Sequence, residues 1–390
     1  MLLLRGESRK GGTARSSAQA TQLAEPSTSR DPRDVPEPGP LALARALAYA
    51  RTVPRPVSNP PNPWLSQHVE WLEERPDAAL EVYEESAKSL LVENKSPDLG
   101  FRWSANPYRG CAHACAYCYA RPSHQYLGFG AGTDFERRIV VKTNAPELLA
   151  RELARPSWRK EQVAFSGNTD CYQPLEASYA LTRRCLEVCA EFRQPVMLIT
   201  KGALVRRDVD VLARLARHGL VHVTLSIPFL AEDVGRKLEP GASSPNKRFE
   251  TLKALSAAGI PTGIAIAPLI PGLNDSDVAM LLQRAADCGA TSAFMTLLRL
   301  PAEVLPVFTE RLHAALPERA KKVESALREM RGGRMNDPRF GKRMSGAGER
   351  WNTVEQLFEI TCRRLGFDRN AFRGTKPAER TEHQAELFGD

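Results

Sequence analysis

The sequence predicts an α/β fold, with a parallel sheet covered by helices. Between residues 97 and about 300, short apolar stretches of strand length alternate with stretches of helical periodicity. The strand candidates are apolar almost throughout, as strands buried on both faces are. The polar residues gather where those strands should end: Asn168, Thr169 and Asp170, then Thr200 and Lys201, then Ser226, with Asn274 and Asp275 farther into a loop. Right-handed crossovers leave two closures for such a chain, an open doubly wound sheet or a barrel. Either one puts the functional groups at the C-terminal strand ends.

Residues 162–166 form a strand candidate, followed by a helix in which Leu181, Cys185, Val188 and Phe192 recur at helical spacing. Residues 195–200 are the next strand, and 205–218 a helix that Gly219 stops. Residues 221–227 are again strand. Ser244 is placed to cap the following helix, Pro245 fits its first turn, and Gly259 with Pro261 ends it. Residues 262–267 are strand. A helix opening at Asp275 or Ser276 carries Val278, Leu281, Leu282 and Ala285 and stops at Gly289; residues 292–298 are the last clear strand.

Outside this core, residues 1–63 read as a disordered Pro-rich tail, and 64–96 as an ordered lead-in. The core is taken as 97–302. Residues 303–390 read as a helical extension, with a helix over 303–330, a basic Gly-rich loop at 331–350 and a final helix over 351–366. Twelve of the 29 prolines precede residue 100, and runs such as 36–40 and 60–63 hold neither a helix nor a sheet ladder.

The chain has 390 residues, 42% hydrophobic and 26% charged, which is ordinary for a soluble globular protein. Its formal charge of +8 points weakly to a polyanionic partner. No run approaches the ~20 apolar residues that span a bilayer, so no membrane partner is expected. The eight cysteines do not form a disulfide framework, and a reducing cytoplasm suits them.

Three of these cysteines fall within eight residues: Cys111, Cys115 and Cys118, spaced Cys-x-x-x-Cys-x-x-Cys. Thiolates at this spacing can wrap one metal centre from a single loop. Four are usual for a 4Fe–4S cluster, and three leave one iron open to another ligand. His113 and His124 flank the loop, but no second close pair follows to complete a zinc site.

The pattern Cys111-x-x-x-Cys115-x-Tyr117-Cys118, set ahead of strand–helix units, resembles the signature of radical S-adenosylmethionine enzymes. The longer string from Asn106 to Arg121 resembles the branch grouped with spore photoproduct lyase. The resemblance implies a partial (β/α)6 TIM-type barrel with the cluster loop after the first strand. It also implies a 4Fe–4S cluster on Cys111, Cys115 and Cys118, with S-adenosylmethionine bound to the fourth iron. Reductive cleavage of that cofactor, fed by a partner such as flavodoxin or ferredoxin, would yield a radical that takes hydrogen from a substrate. A nucleic-acid lesion is the substrate that the branch suggests.

By the same resemblance, Tyr117 lies beside the adenine. Gly167, Asn168, Thr169 and Asp170 occupy the place of the segment that takes the methionine amino group, although the family's common Gly-Gly-Glu is absent. Ser226 matches a ribose or carboxylate contact, and Ile266 an apolar flank of the adenine. The lyase returns hydrogen to its product from a cysteine near the end of the second strand. Gly167 stands there in this sequence, so Cys171, four residues on, is the candidate for that role, with Tyr172 beside it.

The basic loop 331–350 has six Arg or Lys against two acids, with Phe340 within it and Trp351 beside it. It either tracks a phosphate backbone and stacks a base or closes the barrel mouth as a solvated loop. Competing readings are radical modification of RNA, a peptide or a metabolite, and an iron–sulfur electron carrier or redox sensor.

Overall fold

The strands pair side by side in the order in which the chain lays them down. The computed structural model describes residues 79–369. Its strands are β1 (Glu81–Glu85), β2 (Leu91–Glu93), β3 (Trp103–Ala105), β4 (Tyr108–Arg109), β5 (Arg138–Lys142), β6 (Val163–Phe165), β7 (Val196–Thr200), β8 (Val221–Ser226), β9 (Thr262–Leu269) and β10 (Ser292–Leu297). The main sheet runs β10-β9-β8-β7-β6-β3-β2. Every pair from β3 to β10 is parallel, and β2 runs antiparallel on the β3 edge.

A doubly wound sheet reverses its strand order at a switch point. Here the order never reverses, so the winding is that of a barrel. Among the described strands β10 and β3 do not pair, and the barrel stays open between them. The fold is the partial six-stranded α/β barrel that the motif implied. The expected tail at 1–63 and residues 64–78 of the lead-in lie outside the described residues.

The strands form where both faces are covered. β7, β8 and β9 are buried along nearly their whole length, and each is followed by a helix whose apolar face packs back on the sheet. Ser244 caps the helix Pro245–Ala257 as its position promised, its Oγ accepting the Lys247 amide at 3.4 Å. Gly259 ends that turn at φ +75°, a left-handed conformation that costs a side-chain-bearing residue most. The helix expected over 205–218 begins as a 3-10 turn, Ala203–Asp208, and becomes α only at Val209–Ala216.

Two of the elements that escaped the sequence pattern show why. β3, the first barrel strand, is three residues long, too short to show a period. β1 carries the acidic sequence EVYEE and is largely exposed, yet it pairs with β5 in a small side sheet, β1-β5-β4. No described helix is long and apolar enough to cross a membrane.

The C-terminal part runs along the open side of the barrel. The helix expected over 303–330 is two, Val304–Ala315 and Pro317–Met330, broken where Pro317 removes a donor. The final helix is Glu349–Leu365. Between them, loop 331–350 is organised by one buried guanidinium. Arg331 donates to the carbonyls of Lys342, Ser345, Arg343 and Leu298 at 2.9–3.0 Å. The Leu297 amide donates to Met344 O at 2.9 Å, and Arg343 donates to Asp98 at 2.5 Å and to Ser96. The loop therefore clasps the β10 edge to the segment between β2 and β3, closing the gap at the barrel mouth.

Replacing Arg331 by Met should leave those four carbonyls without their shared donor. We expect a loss of about 2–4 kcal/mol in denaturant unfolding and rapid proteolytic nicking within 331–350. Wild-type stability and protease resistance in this variant would contradict the anchoring role.

Candidate active site

The three cysteines sit on a loop that the backbone would not adopt unaided. Gly110, just before Cys111, has φ +77°, and a Cβ there would meet Phe135 O at 2.9 Å. The Cys111 amide donates to that same carbonyl at 2.9 Å. Gln173 bridges the turn around Cys111, donating to Gly110 O at 3.2 Å and accepting from the Ala112 amide at 3.0 Å. On the far side, the Ala116 amide donates to Leu238 O at 2.8 Å and Gly241 donates to His113 O at 3.0 Å. A Cβ on Gly241 would stand 2.0 Å from Ala112 O, so only glycine permits this approach.

Behind the loop lies a buried ion cluster. Glu136 sits between Arg121 and Arg311, all three nearly closed to solvent. Arg121 also donates to Cys115 O at 2.7 Å and to Ala131 O and Gly132 O, while Arg311 donates to Ala114 O at 2.8 Å. The helix Val304–Ala315 thus holds the carbonyl just before Cys115. A buried carboxylate is tolerable only when paired and hydrogen-bonded, and this one is paired twice.

Polar groups from successive strand ends converge beneath the loop. After β6, Asp170 Oδ1 accepts from Thr200 Oγ1 at 2.6 Å and the Tyr172 amide at 2.9 Å. Its Oδ2 accepts from the Lys201 amide at 2.8 Å and lies 3.2 Å from His113 Nδ1, close enough for an ion pair but not aligned for a hydrogen bond. Burial works to raise this carboxyl, but His113 and the donors from Thr200 and Lys201 hold it well below the usual carboxylate range. After β7, Lys201 Nζ donates to Ser226 Oγ at 2.9 Å and lies 3.9 Å from Glu239 and 5.6 Å from the centre of the Tyr117 ring. The Tyr117 hydroxyl donates to Glu239, which also pairs with Arg248; Arg248 in turn donates to Ser226 O at 2.8 Å. Burial, then Glu239, pushes the Tyr117 phenol well above its ordinary value.

The thiols are chemically suited to a cationic centre. Burial, then Asp170 and the neighbouring thiols, raises Cys111 well above its ordinary value; burial lifts Cys115 to about 12 and raises Cys118 as well. Adjacent desolvated thiols ionise together only beside a bound cation. Among the described residues no three His, Cys, Asp or Glu side chains converge as ligands of a single ion. A cluster asks for less convergence, because each thiolate binds a different iron. The donor set therefore fits a 4Fe–4S cluster with one open iron.

Of the predicted site residues, the structure brings Tyr117, Asp170 and Ser226 into one network with Lys201. Ile266 is fully buried on β9. Thr169 and Asn168 brace the loop, Thr169 Oγ1 donating to Gly110 O at 2.5 Å and the Asn168 amide to Asn106 at 3.2 Å. Gly167 O accepts from the Tyr119 hydroxyl at 2.8 Å. Three donors of its own chain already occupy the Asp170 carboxylate.

Cys171, expected to return hydrogen, is fully buried in the core, its amide accepted by Ser166 Oγ and its carbonyl held by Thr182. Beside it, the Tyr172 hydroxyl donates to buried Asp208 at 3.1 Å.

His113 and His124 form no zinc pair; His124 Nε2 lies 2.8 Å from Arg138 O. Sequence reading gave no role to Arg121, although it closes the motif string, and missed Glu239, Arg248 and Arg311, which stand in no motif. Lys201 was visible only as a polar strand end.

A family model described as the radical SAM superfamily matches residues 105–285. An uncharacterized protein of Mycobacterium tuberculosis is 41% identical over 241 residues, covering 60% of this chain and 70% of its own length. A radical SAM Nalpha-GlyT isomerase of Pseudomonas phage M6 is 27% identical over 219 residues, covering 55% of this chain and 43% of that one. A spore photoproduct lyase structure with bound AdoMet and dinucleoside spore photoproduct superposes with a TM-score of 0.56 at 18% identity. It covers 78% of this chain and 88% of that one, a likeness of fold.

Two outcomes follow from the loop geometry. Gly241→Ala should displace the Ala112 carbonyl and cut iron retention after anaerobic reconstitution several-fold; full iron content would contradict the close approach. For the apo-protein, the lowered Asp170 carboxyl adds stability that is complete above its unfolded value of about 4 and is lost as pH falls through the folded value. Asp170→Asn should therefore unfold more easily than wild type at pH 7, with the gap narrowing in acid below about pH 4. A gap independent of pH would contradict an ionised brace.

Proposed function

Because the chain belongs to the radical SAM superfamily, we propose that it is an enzyme using a 4Fe–4S cluster on Cys111, Cys115 and Cys118 and S-adenosylmethionine to take hydrogen from a nucleic-acid substrate. The carrying observation is the convergence of the three-cysteine loop with the ends of β6, β7 and β8 at the mouth of the open barrel. When bound, the cluster supplies the electron that breaks the cofactor's sulfonium bond and leaves the 5′-deoxyadenosyl radical.

The chain's own residues hold and shield the reactants. Lys201, fixed by Ser226, supplies a cation for the cofactor's carboxylate. Tyr117 is locked by Glu239, with a ring placed to flank the adenine beside Ile266. Asp170 and Gln173 keep the loop from shifting against the strand ends, which preserves the distance over which hydrogen is taken. An electron carrier would need the thiolates but not this cradle. A flavodoxin or ferredoxin is the reductant that such chemistry calls for.

The nucleic-acid assignment draws support from the cationic and aromatic groups at the mouth. It also draws on two similar proteins, one named as a Nalpha-GlyT isomerase and one solved with a dinucleoside. It gives no hydrogen-transfer role to the enclosed Cys171 and Tyr172.

Anaerobic reconstitution, dithionite reduction and addition of S-adenosylmethionine should yield 5′-deoxyadenosine. Replacing Cys111, Cys115 or Cys118 by Ala should reduce the yield to background together with the cluster absorbance. A wild-type protein with verified cluster content and no cleavage would refute the proposal.

A further inference from the structure

At the barrel mouth, one cation beside the cluster loop rests on an aromatic ring and not on a carboxylate hydrogen bond. Arg299 follows β10 by two residues, and its guanidinium lies over the Tyr119 ring, 5.4 Å from the centroid. Tyr119 adjoins Cys118 and is half exposed. Among the described residues Arg299 makes no hydrogen bond or ion pair, and none of its nitrogens is sealed from solvent. The residue as a whole is half-buried.

Four other arginines of this region are already engaged. Arg331 is anchored to four carbonyls, Arg339 pairs with Asp337 at 2.6 Å, Arg350 pairs with Asp275 at 2.8 Å, and Arg343 is held by Asp98. Burial, and then Arg343, draws the Arg299 guanidinium below its ordinary value, against the opposing pull of Tyr119 and Asp98. Arg343 itself stacks on Phe340 at 4.4 Å, and Phe340 is 60% exposed. Trp351, the other aromatic expected to stack a base, is buried against Gly346 and takes no part.

Tyr119, Arg299, Arg343 and Phe340 thus form a strip that alternates aromatic and cationic groups outward from the cluster loop. We propose that this strip binds a single strand of nucleic acid, with Arg299 holding the phosphodiester beside the reacting nucleotide and Phe340 stacking a neighbouring base. Sequence-tolerant single-strand binding uses this combination of stacking faces and backbone cations, and a guanidinium fits a phosphate in two-point fashion. The inference rests on the nucleic-acid reading above and names the residues that carry it.

Fluorescence anisotropy of the reconstituted protein with a short labelled oligothymidylate, over about 50–300 mM salt, tests it. Wild type should bind with affinity that falls steeply with salt. Arg299→Gln, checked for wild-type iron content and melting temperature, should bind about tenfold more weakly, and its log–log salt slope should be shallower by about 0.7, the loss of one phosphate contact on a single strand. Arg299→Lys should keep that slope. Phe340→Ala should weaken binding by about tenfold with the slope unchanged. An unchanged slope and affinity in Arg299→Gln would overturn the assignment, as would absence of binding by wild type or tighter Arg299-dependent binding of an acidic peptide. Cofactor cleavage by a wild type that binds no strand removes this inference alone. Binding with the stated Arg299 dependence but no cleavage removes the radical-enzyme reading and keeps the surface.

Discussion

The structure turns on one buried carboxylate. Glu136 lies between Arg121 and Arg311, and the same two guanidiniums reach the carbonyls of Cys115 and Ala114. A loop presenting three thiols within eight residues has little regular hydrogen bonding of its own, so its shape must be imposed from outside. The ion cluster does this from below, Gln173 from the β6 side, and the segment 238–241 from the β8 side. Separation of charges on this scale inside a protein is costly unless every group is matched, which makes the loop's position all but fixed. The part of the chain beyond the matched family region takes part in this, because Arg311 belongs to the helix Val304–Ala315.

Fixing the loop fixes the reaction's geometry. The groups that converge on it come from successive parallel strands, and parallel winding is what aligns their C-terminal ends on one rim. The open side of the partial barrel would leave that rim exposed. Arg331 folds the loop 331–350 around itself, and Arg343 pins it to Asp98, so the opening narrows to a strip of aromatic and cationic side chains. The strand-end network inside and the Arg–aromatic surface outside are two consequences of one architecture.

The fold was legible wherever burial imposed a period. Strands β6 to β10 are apolar because both faces are covered, and Ser244, Gly259 and Gly289 marked helix ends through backbone requirements that few other residues meet. β3 was not legible because three residues carry no period, and β1 because its charged face looks outward. At the site, the cysteines, Tyr117 and Ser226 were visible through motif and strand-end position. Glu239, Arg248 and Arg311 were not, because they act by long-range pairing that leaves no local pattern, and Arg121, though inside the motif string, showed no role until its partner Glu136 was seen. Cys171, six residues past β6, is enclosed by the core, and nearness in sequence to a site says nothing of which side of the sheet a side chain meets.

The central claim is that three thiolates leave an iron open to S-adenosylmethionine in a cradle built by the strand ends. Electron paramagnetic resonance of the dithionite-reduced, reconstituted protein, recorded with and without S-adenosylmethionine, addresses it directly. The account predicts a reduced 4Fe–4S signal whose g values shift when the cofactor is added. A signal identical in both samples, from protein of verified cluster content, would contradict it.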